Sequence, residues 1–415
     1  MVAIPTSLYP VFESSFLCGV ESVAPGTQAT AFTGIPTGPL GIDPNYTPLK
    51  DMNLRGSNVE TYDMQFGQRY AQLTIPESPC YGDTIGAPLR GCLGDYYSSG
   101  TAATPTWTTS GALSPGAGPI AVTSGSSAVA GTYIQIDTST NSEVVKVGSG
   151  STATSIVVDA STPIRFSHLT TIAVVTVVAP FTHTFSNLNM NSSTGSTTAQ
   201  PPSYTGLHRN GIAPTYSADC YLYGHFNSLK FQAKKNGWFV WDGKFTSFVR
   251  SAPSANFAPS FTTVTGLPSW RSTVSLAGSQ VFNVTDLTVS LDRKLDIVPA
   301  LDGVQDPYVI GMGPLTATFD LNFDVAANEN VLGYLEANTK PTFSWSISNG
   351  GSGASLVSFA ISAQLAGFEK APLSVMQQFW GFKASGEFLA NVTNAGNSGG
   401  YSPVAIQLVN AVPTY

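Results

Sequence analysis

The chain has 415 residues, of which 42% are hydrophobic, 11% aromatic and only 10% charged, with a formal net charge of −7. An ordinary soluble domain carries roughly 25% charged residues, so this surface is short of Lys and Glu, while the aromatic share excludes a disordered chain. No basic stripe is present to grip nucleic acid through counterion release, and the longest apolar run, 172–179, is far too short to span a bilayer. A surface so poor in charge suits a protein that buries much of its exterior against neighbours.

In chain order, residues 1–47 are rich in Pro and Gly and hold no sustained period, which predicts an extended arm lying on another surface. The first residues, Met1 to Pro5, lack a basic segment followed by an apolar core, so no secretory signal is expected. Gly67 then leads into an alternating strand, 69–75, with Ala71, Leu73 and Ile75 on one face. An amphipathic helix follows within 81–94, carrying Ile85, Leu89, Cys92 and Leu93. Gly86 and Pro88 interrupt its pattern, so the helix is expected from Ala87, with Pro at its start, where a missing N–H costs nothing.

After Asp95 the composition turns to Ser, Thr, Gly and Ala. Short strands at 133–137, 143–147 and 155–159, bearing Ile134, Ile136, Val145, Val147, Ile156 and Val158, predict a small inserted β-module. The interrupted unit resumes at Phe181, continues through the alternating strand 229–233 and closes near Val249. Residues 251–269, full of Pro and Ser, read as a linker.

Beyond it lies the cleanest alternation in the chain. Leu287, Val289, Leu291, Leu295 and Ile297 share one face, and Thr288, Ser290, Asp292, Lys294 and Asp296 the other; Arg293 is the one polar residue on the apolar side. Gly313 then leads into strand 315–323, with Thr316, Thr318, Asp320 and Asn322 on its polar face, and into a helix within 325–338 carrying Val331, Leu332 and Leu335. Further strands are predicted at 343–347, 356–365 and 375–388, and 391–415 reads as a closing arm. Gly67 and Gly313 stand 246 positions apart, and the same glycine, strand and helix plan follows each.

The fold class is therefore mainly β, with two tandem sandwich or half-barrel domains, each with one short helix, and one inserted β-module. The boundaries read as an arm at 1–47, a first domain at 48–104 and 169–250, the module at 105–168, a linker at 251–269, a second domain at 270–390 and an arm at 391–415.

Catalytic chemistry finds little material. His168, His183, His208 and His225 stand at no metal-ligand spacing from one another, and Cys18, Cys80, Cys92 and Cys220 read as free thiols of a reducing compartment. Asp219, Cys220 and His225 could form a nucleophilic group, but residues packed along a strand explain them better. Asp302 and Asp306 could serve as a glycosidase acid pair, against which acidic surface loops are far commoner. No enzymatic activity, cofactor or metal is expected.

The run 48–57 (Pro-Leu-Lys-Asp-Met-Asn-Leu-Arg-Gly-Ser), the Gly67-led strand with the helix ending Leu93-Gly94-Asp95, and the 181–189 segment resemble the major tail tube proteins of long-tailed bacteriophages. The region 286–389 resembles the same fold with its helix, so the likeness covers most of the chain outside 105–168.

That resemblance implies a structural virion protein of the tail, made in the host cytoplasm, whose copies close rings that stack into a tube for genome delivery. Two fused domains imply a ring of three chains, a pseudo-hexamer, or else a hexamer of single elaborate domains. The implied partners are further copies of the chain, the tape measure protein and other tail proteins, with transient, non-specific passage of double-stranded DNA and no membrane span. Between Asp286 and Lys340 nine carboxylates stand against three cations, and the polar-face residues Asp292, Asp296, Asp320 and Asn322 are the candidate lumen-facing groups. The loop 298–312 is a candidate stacking element, and the module is expected to project outward. A receptor-binding, baseplate or capsid protein is the alternative, with a secreted glycan-acting protein behind it; between 117 and 168 only Tyr133 and Phe166 are aromatic, which gives an adhesin little to work with.

Overall fold

The computed structural model describes residues 14–21, 25–53, 55, 59–116, 118–123, 125–190, 199–210, 217–254, 260–301, 303–324, 331–376 and 379–415. Parts of the run 48–57, Asp302, and residues 325–330 at the start of the second expected helix lie outside them.

The chain opens with β1 (Ser15–Val20), β2 (Thr33–Ile35), β3 (Gly41–Asp51) and β4 (Asp63–Pro79), then α1 (Gly86–Leu93) and β5 (Gly94–Thr108). The module follows with β6 (Ile120–Ala121), β7 (Tyr133–Ile136), β8 (Glu143–Lys146) and β9 (Ser155–Ile156). Next come β10 (Ala173–Asn187), β11 (Tyr204–Asn210), β12 (Ser217–Lys234) and β13 (Phe239–Ser247). β14 (Ser272–Leu276), β15 (Ser279–Val281), β16 (Val284–Val298) and β17 (Val309–Asp324) lead to α2 (Val331–Glu336). The chain ends with β18 (Phe343–Ser348), β19 (Ser358–Ala363), β20 (Ala366–Lys370), β21 (Leu373–Met376), β22 (Phe379–Phe388) and β23 (Ala405–Asn410).

The fold is mainly β, as expected. These strands form a 12-stranded and a 9-stranded antiparallel sheet, neither closed into a barrel, and β6 and β9 pair separately as a two-stranded sheet. Alternation decides which side of each strand is buried: Ala71, Leu73 and Ile75 on β4, and Leu287, Val289 and Leu291 on β16, are all at most 1% exposed. One apolar core fills the space between the sheets, where Phe239 of β13 meets Trp345 of β18 and Phe231 of β12 meets Phe359 of β19, with ring centroids 5.2 and 5.0 Å apart. Leu295 and Ile297 are only half-buried, because β16 runs past the edge of that core beyond a bulge between Arg293 and Leu295.

The larger sheet contains two runs of four strands with the same internal order: β3-β4-β13-β12 and β16-β17-β22-β20, the last continued by β21. They also share two irregularities. A bulge between Tyr46 and Pro48 in the β3–β4 pair matches the one between Arg293 and Leu295 in β16–β17. A bulge between Phe226 and Ser228 in β12–β13 matches one between Phe368 and Lys370 in β20–β22. The runs join where β12 pairs with β16, Phe231 opposite Val289.

Several expectations need correction. The closing arm contains β23, a central strand of the 9-stranded sheet between β10 and β19, because Ile406 and Leu408 alternate into the core. The described part of the N-terminal arm pairs within its own chain through β1, β2 and β3. The segment 375–388 is a hairpin, β21 against β22, with Met376 opposite Phe379. Helix α1 starts at Gly86, so Pro88 is its third residue, still within the turn whose N–H groups lack helical partners; and α1 is buried nearly all round, not on one face. The described turns of α2 are short, with Val331 buried and Leu332 42% exposed.

The module has a core of its own, including Trp107, Ile134, Ile136, Val145, Val147 and Ile156. It is not separate in backbone terms. β5 and β10 run from the module into the main sheet as one antiparallel ladder, and β7 and β8 extend that sheet at β10.

Candidate functional site: a charged sheet face with two free edges

The four residues expected to act together share one face. Asp292, Asp296 and Asp320 are exposed and Asn322 is half-buried, all on the side of β16 and β17 turned away from the core. The ladder sets their neighbours: Asp292 lies opposite Ser228 and Thr316, Asp320 opposite Thr288 and Ser385, and Asn322 opposite Asp286 and Lys383.

Counting charge along the chain missed what the sheet brings alongside. β12, β13 and β22 add Lys230, Lys234, Lys244 and Lys383 to the same face, with Lys230 opposite Asp242 and Lys234 opposite Asp286. Burial raises the Asp242 carboxyl above its usual pKa, with Lys230 acting against that rise. The face is of mixed sign, not acidic throughout. The missing signal lay in the alternation of 229–233, which already put Lys230 on the polar side.

Both ends of this face are open. Among the described residues β3 pairs only with β4, and β20 and β21 pair only with β22, so each flank presents backbone groups with no described strand beside them. Near the first flank the β3–β4 hairpin exposes Tyr46, Leu49, Met64 and Phe66. The loop after β16, expected to stack on a neighbour, is partly held within the chain: Arg69 Nε lies 3.0 Å from Asp306 Oδ1, and Arg69 N–H donates to Gln305 O at 3.1 Å. Its Leu301, Val304 and Tyr308 remain exposed.

Arg293, the polar residue on the apolar side, is a helix cap. It is 6% exposed; its Nε donates to Cys92 O at 2.7 Å and its Nη2 to Leu93 O at 3.3 Å, at the C-terminal end of α1. Nη1 donates to Gly313 O at 2.9 Å, and Nη2 also reaches Asn187 Oδ1. A cation here meets the negative end of the helix and adds to the Leu93 carbonyl a second donor beside the Leu188 N–H at 2.9 Å.

In the module, Glu143 is fully buried and accepts from His168 Nε2 at 2.8 Å and from Arg165 N–H at 2.8 Å, while His168 Nδ1 lies 3.1 Å from Asp137 Oδ2. Burial works to lower the His168 pKa, but the bonds to Glu143 and Asp137 outweigh it and hold the imidazole above its usual value. Both ring nitrogens are thus engaged in structure.

The catalytic candidates do not assemble. Asp219 pairs with Arg250 at 3.8 Å, and burial pushes the Cys220 thiol up to about 11. Neither ring nitrogen of His225 has a partner among the described residues, and burial pulls its pKa down to about 4. Asp306 is committed to Arg69. All four cysteines are buried free thiols. Among the described residues no cluster of three or more His, Cys, Asp or Glu could hold a metal, and no helix is long and apolar enough to cross a membrane.

No curated protein matches the chain. A family model described as phage tail tube protein matches residues 14–400, which takes in both four-strand runs, both helices and the module. With nearly its whole length so matched, this chain belongs to the phage tail tube protein family, structural proteins of the phage tail.

Proposed function

We propose that the chain forms the wall of the tail tube: copies join edge to edge into rings, the rings stack, and the polar face of the larger sheet lines the bore through which DNA passes. The observation that carries this reading is the eight-strand run from β3 to β20, apolar on one side, polar on the other and, among the described residues, open at both ends. A sheet of this kind is an aggregation liability alone and is completed when copies close around an axis.

Three chains supply about 24 strands, and at about 4.8 Å per strand their circle is roughly 40 Å across between backbones. That leaves a water-filled channel. The two runs then act as tandem domains, 41–104 with 169–250 and 270–390, joined by 251–269, and the module 105–168 stands outside the ring. The tape measure protein and other tail proteins are its further partners, and the exposed tips near Leu301 and Tyr308 suit contact between rings.

The bore works passively. Asp292, Asp296 and Asp320 repel phosphates only at close range, since wall charges are screened over roughly 8 Å. The interleaved lysines balance them, so no stretch of wall accumulates enough cations to hold DNA by counterion release. Electron microscopy of the purified protein tests the proposal: rings or tubes with an open axis are expected, and compact monomers at high concentration would refute it.

A further inference from the structure

The joint inside the chain offers a template for the contact between chains. Residues equivalent in the two runs can be paired through the ladder. Ile42 faces Leu73 as Val289 faces Phe319, and Leu73 and Phe319 each lie six residues after the leading glycine, Gly67 or Gly313. On the other flank Leu373 faces Phe382 as Phe231 faces Trp241. Lys370 faces Ser385 as Ser228 faces Lys244, and Asn45 faces Tyr70 as Asp292 faces Thr316.

Burial differs sharply between these equivalents. At the joint Phe231 and Val289 lie opposite each other and are both 0% exposed. At the free flanks their counterparts Leu373 and Ile42 are 53% and 37% exposed. Each flank therefore carries one half of an apolar pair that the joint shows complete.

We infer that β20 and β21 of one copy pair antiparallel with β3 of the next copy in the register of the β12–β16 joint, setting Leu373 against Ile42 and Lys370 against Asn45. The partner is a second copy of this chain, because the two flanks complement each other and not themselves. This inference rests on the tube reading above and adds the seam and its register. Charge agrees with it: Lys370 comes diagonally beside Asp43, and diagonal neighbours on paired strands are within reach of a long side chain. Pro44 and Pro48 on β3 carry no N–H donors, a mark of an edge strand guarded against indiscriminate pairing.

The test is cross-linking of assembled protein. In the doubly substituted chain Asn45→Cys with Lys370→Cys, both positions lie on the polar face at opposite flanks, roughly 30 Å apart within one copy, so a disulfide joins two copies. Mild oxidation is expected to convert most of the protein to a reducible band of three chains, whereas Gly41→Cys with Lys370→Cys, four residues out of register, is expected to stay largely monomeric on the gel. Should the double variant assemble poorly, zero-length carbodiimide coupling of wild-type assemblies is expected to link Lys370 to Asp43 between chains. Rings that form with neither cross-link would overturn the seam while leaving the tube standing; absence of rings from the wild type would defeat both.

Discussion

Helices α1 and α2 follow the same kind of strand after the same kind of glycine, yet one is a core element and the other a surface one. Helix α1 sits at the joint of the two four-strand runs, where β12 packs against it and Arg293 of β16 closes its end. Helix α2 lies beside β20 at the free flank, with Leu335 touching the core and Leu332 in solvent. Similar local sequence thus acquires different energetic weight from what covers it. The proposed seam supplies the missing cover for α2, placing Tyr46 of the next copy where Arg293 stands beside α1.

The largest effect is expected from Leu89→Ala in α1. The side chain is fully buried, and a cavity there costs about 3 to 4 kcal/mol in denaturant unfolding of the monomer. Arg293→Ala follows at about 3 kcal/mol, since it removes the guanidinium bonds to the Cys92 and Gly313 carbonyls and leaves Leu93 O with only the Leu188 N–H; Tyr46→Ala, its counterpart at the free flank, should leave monomer stability nearly unchanged.

Acid acts on the same side of the comparison. The folded-state pKa of His225 on β12 is depressed to about 4, so the unfolded chain binds the proton more readily. Stability is full above about pH 6.5 and falls as pH drops from there toward 4, by on the order of 2 kcal/mol from this residue. His225→Phe should flatten that part of the stability–pH curve. His168 in the module has the opposite sign: its raised pKa contributes stability at low pH that is lost as pH rises through its folded value.

The smallest effect is expected from Leu332→Ala in α2, within about 0.5 kcal/mol in the monomer because the side chain is already exposed. A monomer loss near that of Leu89→Ala would erase the distinction between the helices. Weaker ring assembly with an unchanged monomer would sharpen it.

Much of this fold could be read directly. Period-two alternation located β4, β16, β17, β18 and the module strands β7 and β8, because a residue's side of a strand is set by its own place in the chain. Arg293 stood out as a polar residue on an apolar face, although its partner, 200 positions away on α1, did not. β23 escaped notice because six residues among glycines and serines look like a tail until two neighbours bury Ile406 and Leu408. From sequence β21 and β22 read as one strand, since only two positions separate Met376 from Phe379 and the apolar pattern runs on.

Charge shows the boundary most clearly. The sequence alone determined that Asp292, Asp296, Asp320 and Asn322 share one face, since strand geometry puts alternate residues together. Only the tertiary structure decided that Lys230, Lys234, Lys244 and Lys383 share that face as well. Sheet neighbours are chosen by long-range backbone pairing, and a sum taken along the chain is blind to strands that hydrogen bonds bring side by side.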